Sequence, residues 1–170
     1  MIILLFSGGG SNKLPNNSRT LVSYANTDAK ARLTIDAPIK DPAEHQQIQI
    51  TVDRDTISLE LLKGYDGEVT NVQSFPNSQN SFDVFLHSLS VANFTHGNTD
   101  KSLKDERGYC PLGDRYIFEL LQDGSSIERF WATSCGSPKT YYGNVNLTLL
   151  LFENQVPNYS DLTQNVNLYD

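Results

Sequence analysis

Between residues 31 and 61 apolar and polar positions alternate with a period of two. Ala31, Leu33 and Ile35 alternate with Arg32, Thr34 and Asp36, and Ile48, Ile50 and Val52 with Gln47, Gln49 and Thr51. Ile57, Leu59 and Leu61 take up the same rhythm after Asp53-Arg54-Asp55. Successive side chains of a strand point to opposite faces, so this pattern predicts strands with one dry and one wet side. Pro38, Asp41 and Pro42 end the first strand, and the next two form an antiparallel hairpin. Gly64-Tyr65-Asp66-Gly67 turns the chain again, Val69 to Phe75 forms a further strand, and Thr20 to Tyr24 a short first one.

The period then changes. Phe82, Phe85, Leu86 and Leu89 stand at helical spacing, with Asn80 placed to cap the helix and Gly97 just past its end. A loop from Thr95 to Gly113, rich in Asn, Asp, Lys and Gly, reads as solvated. Tyr116 to Leu121 and Ile127 to Thr133 flank Asp123-Gly124, a strong hairpin signal. Asn144 stands before a second helix ended by Pro157, with a buried strand as the competing reading of that short apolar run. The expectation is an α+β fold, an antiparallel sheet of about five to seven strands with helices at about 80–93 and 144–155 over one face. Residues 1–19 read as an apolar remnant and a linker, 20–157 as one globular domain, and 158–170 as a polar tail whose Leu162, Val166 and Tyr169 could dock back onto the domain.

The two cysteines, Cys110 and Cys135, fall near the open end of the hairpin turning at Asp123-Gly124. That turn sets 112 opposite 135, so the pair lies within a residue or two of facing. A bridge would close a loop of roughly 25 residues, worth about 3 kcal/mol by chain entropy. Two buried free thiols are the alternative. A bridge implies an oxidising compartment. Met1 to Phe6 is apolar and Ser7 to Asn12 polar, with no basic residue before Lys13. This is too short for a signal peptide. It reads either as the end of a longer signal-anchor helix that would tether the domain to a membrane or as an apolar terminus without a role. The sequons at Asn16, Asn93, Asn146 and Asn158 are no more than so Asn-, Ser- and Thr-rich a chain produces by chance.

Composition narrows the partners. Thirteen basic against twenty acidic residues leave a net charge of −7, which disfavours nucleic acid and favours cationic partners in a salt-dependent way. The expected partner is therefore a protein or an envelope glycan.

The sharpest catalytic candidate is Cys135, closing Trp131-Ala132-Thr133-Ser134-Cys135. A cysteine that ends a strand after a threonine resembles the nucleophile segment of sortase transpeptidases, and His87 and His96 stand upstream in that family's order. The resemblance implies a thiolate with a histidine to exchange protons. The arginine that family places after its cysteine is missing, since no Arg follows Arg129. His45 sits in a polar loop, and no histidines or carboxylates fall at metal-ligand spacing. Neither a metal nor a cofactor is expected. Asp53-Arg54-Asp55 supplies too few oxygens for calcium and suits a hairpin turn.

Aromatic residues crowd the hairpin and its exit. Tyr109, Leu112, Trp131, Tyr141 and Tyr142 are the candidate ligand-binding residues, if some of these rings face outward; otherwise they cover the two sides of a buried ribbon. Gly108-Tyr109-Cys110-Pro111-Leu112-Gly113-Asp114-Arg115-Tyr116-Ile117-Phe118-Glu119, Thr133-Ser134-Cys135-Gly136, and Phe152-Glu153-Asn154-Gln155-Val156-Pro157-Asn158-Tyr159 resemble segments of signal-anchored extracytoplasmic proteins of unknown function from small-genome bacteria. The resemblance implies a bacterial surface and paired cysteines, and carries no activity. The expectation is a non-enzymatic binding or envelope-structural domain. Its rivals are a cysteine transpeptidase or hydrolase, and a secreted inhibitor or effector presenting the Tyr109 to Asp114 loop.

Overall fold

A computed structural model describes residues 20–166. The alternating stretches become β1 (Lys30–Asp36), β2 (Gln46–Val52), β3 (Thr56–Lys63) and β4 (Glu68–Pro76), followed by α1 (Gln79–Val91). The cysteine hairpin supplies β5 (Arg115–Gln122) and β6 (Ser125–Thr133), and the chain continues into α2 (Val145–Glu153) and the short α3 (Tyr159–Thr163). All neighbouring strands pair antiparallel in the order β4-β3-β2-β1-β5-β6. The expected α+β architecture is present. Because β5 returns to lie beside β1, strands far apart in sequence meet at the centre of the sheet.

The dry face follows from the alternation. Leu33, Ile35, Ile48, Ile50, Leu59, Phe118 and Phe130 lie in one core with Phe82, Phe85, Leu86 and Leu89 of α1 and Phe152 of α2. Edge-on contact between the Phe85 and Phe152 rings at 5.1 Å ties the two helices across it. α2 starts at Asn144, whose side chain accepts from the Leu147 amide at 3.1 Å, so the helical reading of that run holds.

Several expectations shift. Leu21 to Asn26 is a 3-10 helix, not a strand: Leu21 and Ala25 are buried while Ser23 between them is exposed, whereas a strand would put all three on one face. Ser78 rather than Asn80 caps α1, accepting from the Ser81 amide. The 159–166 segment packs on the core through Tyr159, Leu162 and Val166, while the expected remnant and linker at 1–19 and Tyr169 lie outside the described residues. A bulge between Leu120 and Leu121 moves the hairpin register by one, pairing Arg115 with Thr133. The cysteines still meet, because the chain reverses at Cys110 (φ 51°) and the Gly113 amide donates to the Cys110 carbonyl. Cys110 and Cys135 form a disulfide with Cα atoms 5.8 Å apart. Among the described residues no helix is long and apolar enough to cross a membrane.

Candidate functional site

The other face of the sheet carries the polar half of the alternation. Cross-strand register sets Asp36 beside Arg115, Thr34 beside both Gln49 and Ile117, and Arg32 beside Glu119. Arg129 of β6 continues the row next to Glu119. Over this floor lies a cleft of about 960 Å³, near the upper end of the size usual for small-molecule sites. Ile39, Lys40 and Tyr65 line it from the loops flanking β2 and β3, and Lys104, Asp105, Glu106 and Arg107 from the long loop before β5.

That long loop is mostly exposed, as its composition suggested, yet it is pinned to the sheet. The Trp131 indole donates to the Leu103 carbonyl at 2.7 Å, and the Tyr109 ring stacks on Trp131 at 5.3 Å. Arg129 donates to Glu106 Oε2 at 2.7 Å and to the Lys104 carbonyl at 3.2 Å. The disulfide then fastens the loop's far end to the strand exit. A segment tied by an indole, a guanidinium and a covalent bond makes a firm wall.

At the deep end of the floor sits a buried charge cluster. Asp36 accepts from Arg115 Nε through one oxygen and from His45 Nε2 through the other, each at 2.7 Å. Arg115 Nη2 also donates to the Ala37 carbonyl. Arg115 and His45 are 1% and 0% exposed, so this pairing is shielded from water. Tyr65 stacks on His45 with ring centres 4.1 Å apart and donates its hydroxyl to the Lys40 carbonyl, fixing the opposite wall. Arg115 Nη1 is buried with no hydrogen-bond partner.

The charge balance of the cleft departs from that of the chain. Five of the thirteen basic side chains line it against four of the twenty acidic ones. Asp105 is held by its hydrogen bonds from Arg107, with a carboxyl driven down to about 2. The ammonium groups of Lys40 and Lys104 make no ion pair among the described residues.

The residues singled out in the sequence lie elsewhere. Cys135 is bonded to Cys110 and carries no thiol in this state. His87 is exposed on α1, and His96 is exposed against the edge of Tyr142. The side chains of Cys135, His87 and His96 make no hydrogen bonds with one another. Trp131 and Tyr141 are 1% and 0% exposed, and the Tyr141 hydroxyl, its pKa raised by burial, bonds Thr148 at 2.7 Å. Those two rings are packing. Tyr109 is half-buried on Trp131, while Leu112 and Tyr142 face solvent. Among the described residues no group of three or more His, Cys, Asp or Glu side chains is placed to hold a metal ion.

Sequence reasoning passed over Asp36, His45, Arg115, Gln47 and Gln49. Their signal was the wet half of the strand alternation, which reads as ordinary solvent-facing polarity until β5 is known to lie beside β1. Comparison with protein-family models and with curated proteins gave no match.

Proposed function

We propose that this chain is an extracytoplasmic binding domain, without catalytic activity, whose ligand sits in the cleft on the polar face of the sheet. The observation that carries the reading is the cleft itself, with its floor on adjacent strands and its outer wall fastened by the disulfide-closed loop. Sites built on strands hold their side chains in place before a ligand arrives, which reduces the ordering cost of binding. The disulfide supports an oxidising compartment. A tether through residues 1–19 belongs to the same reading and rests on the apolar Met1 to Phe6 run. In the bonded state Cys135 has no thiolate for the sortase-like alternative to use.

Gln49→Trp puts an indole on the floor, and Val84→Glu changes an exposed position of α1 as a control. Screened against an array of envelope glycans and peptides, wild type and Val84→Glu should share a binding profile that Gln49→Trp loses. A Gln49→Trp profile matching wild type would overturn the assignment of the cleft. For the compartment, thiol labelling of denatured, unreduced protein taken from its native cell should modify neither cysteine; labelling of both would remove the extracytoplasmic part.

A further inference from the structure

We infer that the cleft takes a saccharide bearing a carboxylate, of the uronic acid class; this rests on the cleft being the ligand site. The first argument is charge. The lining has one more basic than acidic side chain, although the whole chain is strongly acidic. Three of the five cations are already engaged: Arg107 with Asp105, Arg115 with Asp36, and Arg129 with Glu106 and Glu119. Lys40 and Lys104, from different segments, are left over. A single carboxylate matches that surplus, whereas a phosphomonoester dianion would leave a negative charge facing Asp105, Glu106 and Glu119.

The second argument is the kind of hydrogen bonding the floor offers. β1, β2 and β5 are interior strands with neighbours on both sides, so the central floor offers no strand edge for a peptide to pair with; at β6, the edge strand, the Thr140 and Tyr141 amides already occupy the Trp131 carbonyl. Recognition has to come from side chains. Gln49 donates its amide to the Thr34 hydroxyl at 3.1 Å, which leaves its carbonyl oxygen and the Thr34 hydroxyl proton for a ligand. Gln47 lies next to it on the same strand face. Carboxamide oxygens and a hydroxyl in a row suit a ligand dense in hydroxyl groups. The third argument is the apolar share. Tyr65 and Ile39, each 46% exposed, give the C–H face of a sugar ring something to pack on.

The test is an NMR titration of the ¹⁵N-labelled, disulfide-intact protein with a galacturonide trimer bearing one free carboxylate and two methyl esters, its fully methylated ester, and an acidic peptide with a free C-terminus. The ester differs from the trimer by the one methyl group that removes the charge. The trimer should move the amides of Thr34, Gln47, Gln49 and Lys104 to Arg107, and the ester should bind at least about tenfold more weakly. A Lys40→Glu/Lys104→Glu variant, altered at two side chains that make no hydrogen bond or ion pair among the described residues, should lose about the same factor for the acid and none for the ester. Equal binding of acid and ester in the cleft overturns the carboxylate and leaves the cleft standing as the site. Peptide binding there, with no trimer binding up to about 10 mM, overturns the saccharide alone. Absence of binding by any probe up to that concentration also overturns the inference. Shifts confined to another surface overturn both.

Discussion

Asp36 is the residue on which the buried end of the cleft depends, and Asp36→Ala is the most informative perturbation. Its two carboxylate oxygens take charge-assisted hydrogen bonds from Arg115 and His45, both almost wholly enclosed. Truncation leaves the Arg115 guanidinium with only the Ala37 carbonyl, since Nη1 already lacks a partner. Hydrogen bonds to charged groups contribute about 1.5–3 kcal/mol each, so two give about 3–6 kcal/mol. The cost of breaking a buried ion pair, about 3–5 kcal/mol, agrees. For a chain of this size about 2–4 °C of Tm goes with each kcal/mol, so a fall of roughly 6–20 °C is expected. Trp131, the only tryptophan and 1% exposed, reports unfolding in urea by its fluorescence. The companion Asp36→Leu/Arg115→Met removes both charges and should lose less than Asp36→Ala, because the penalty comes from the stranded cation rather than from the missing contact. A single variant within about 1 kcal/mol of wild type would refute the claim that this pair is shielded and coupled.

Other expectations are sharper in direction than in size. Cys110→Ser/Cys135→Ser, or reduction of wild type, should cost about 3 kcal/mol from the released loop; an unchanged Tm with and without reductant would contradict it. The Asp105 carboxyl is held near 2 in the folded state against an ordinary 3.8, so its contribution is present above that ordinary value and is lost as pH falls towards 2. Carbon-detected NMR should find that low midpoint, and Arg107→Ala should return it towards 3.8; a midpoint indifferent to the substitution would show that the bonds from Arg107 are not its cause. Gly97→Ala would drive a methyl group into the Phe130 ring, and about 1–3 kcal/mol of destabilisation by calorimetry is expected, with a wild-type Tm as the contrary result.

The strands, the two main helices and the hairpin were legible from the chain alone because each rests on neighbours a few residues apart. Ala31-Leu33-Ile35 needs only the geometry of an extended backbone to declare a dry side, and Phe82-Phe85-Leu86-Leu89 only that of a helix. The cysteine pairing was legible for the same reason, since both lie at one end of a local ribbon. The Thr95 to Gly113 loop is mostly exposed, as its polarity implies, but that polarity says nothing about Trp131 and Arg129, which hold it down from β6.

Local pattern thus settled that β1 to β3, β5 and β6 would be extended, that Phe82 to Leu89 would be helical, and which side of β1 to β3 would be dry. Tertiary structure alone decided that the wet side is a cleft. Asp36 and Arg115 are 79 residues apart, and nothing local distinguishes them from solvated ends of strands. They meet only because β5 pairs with β1, and that non-local pairing turns scattered polar positions into an enclosed site whose charge differs in sign from that of the chain.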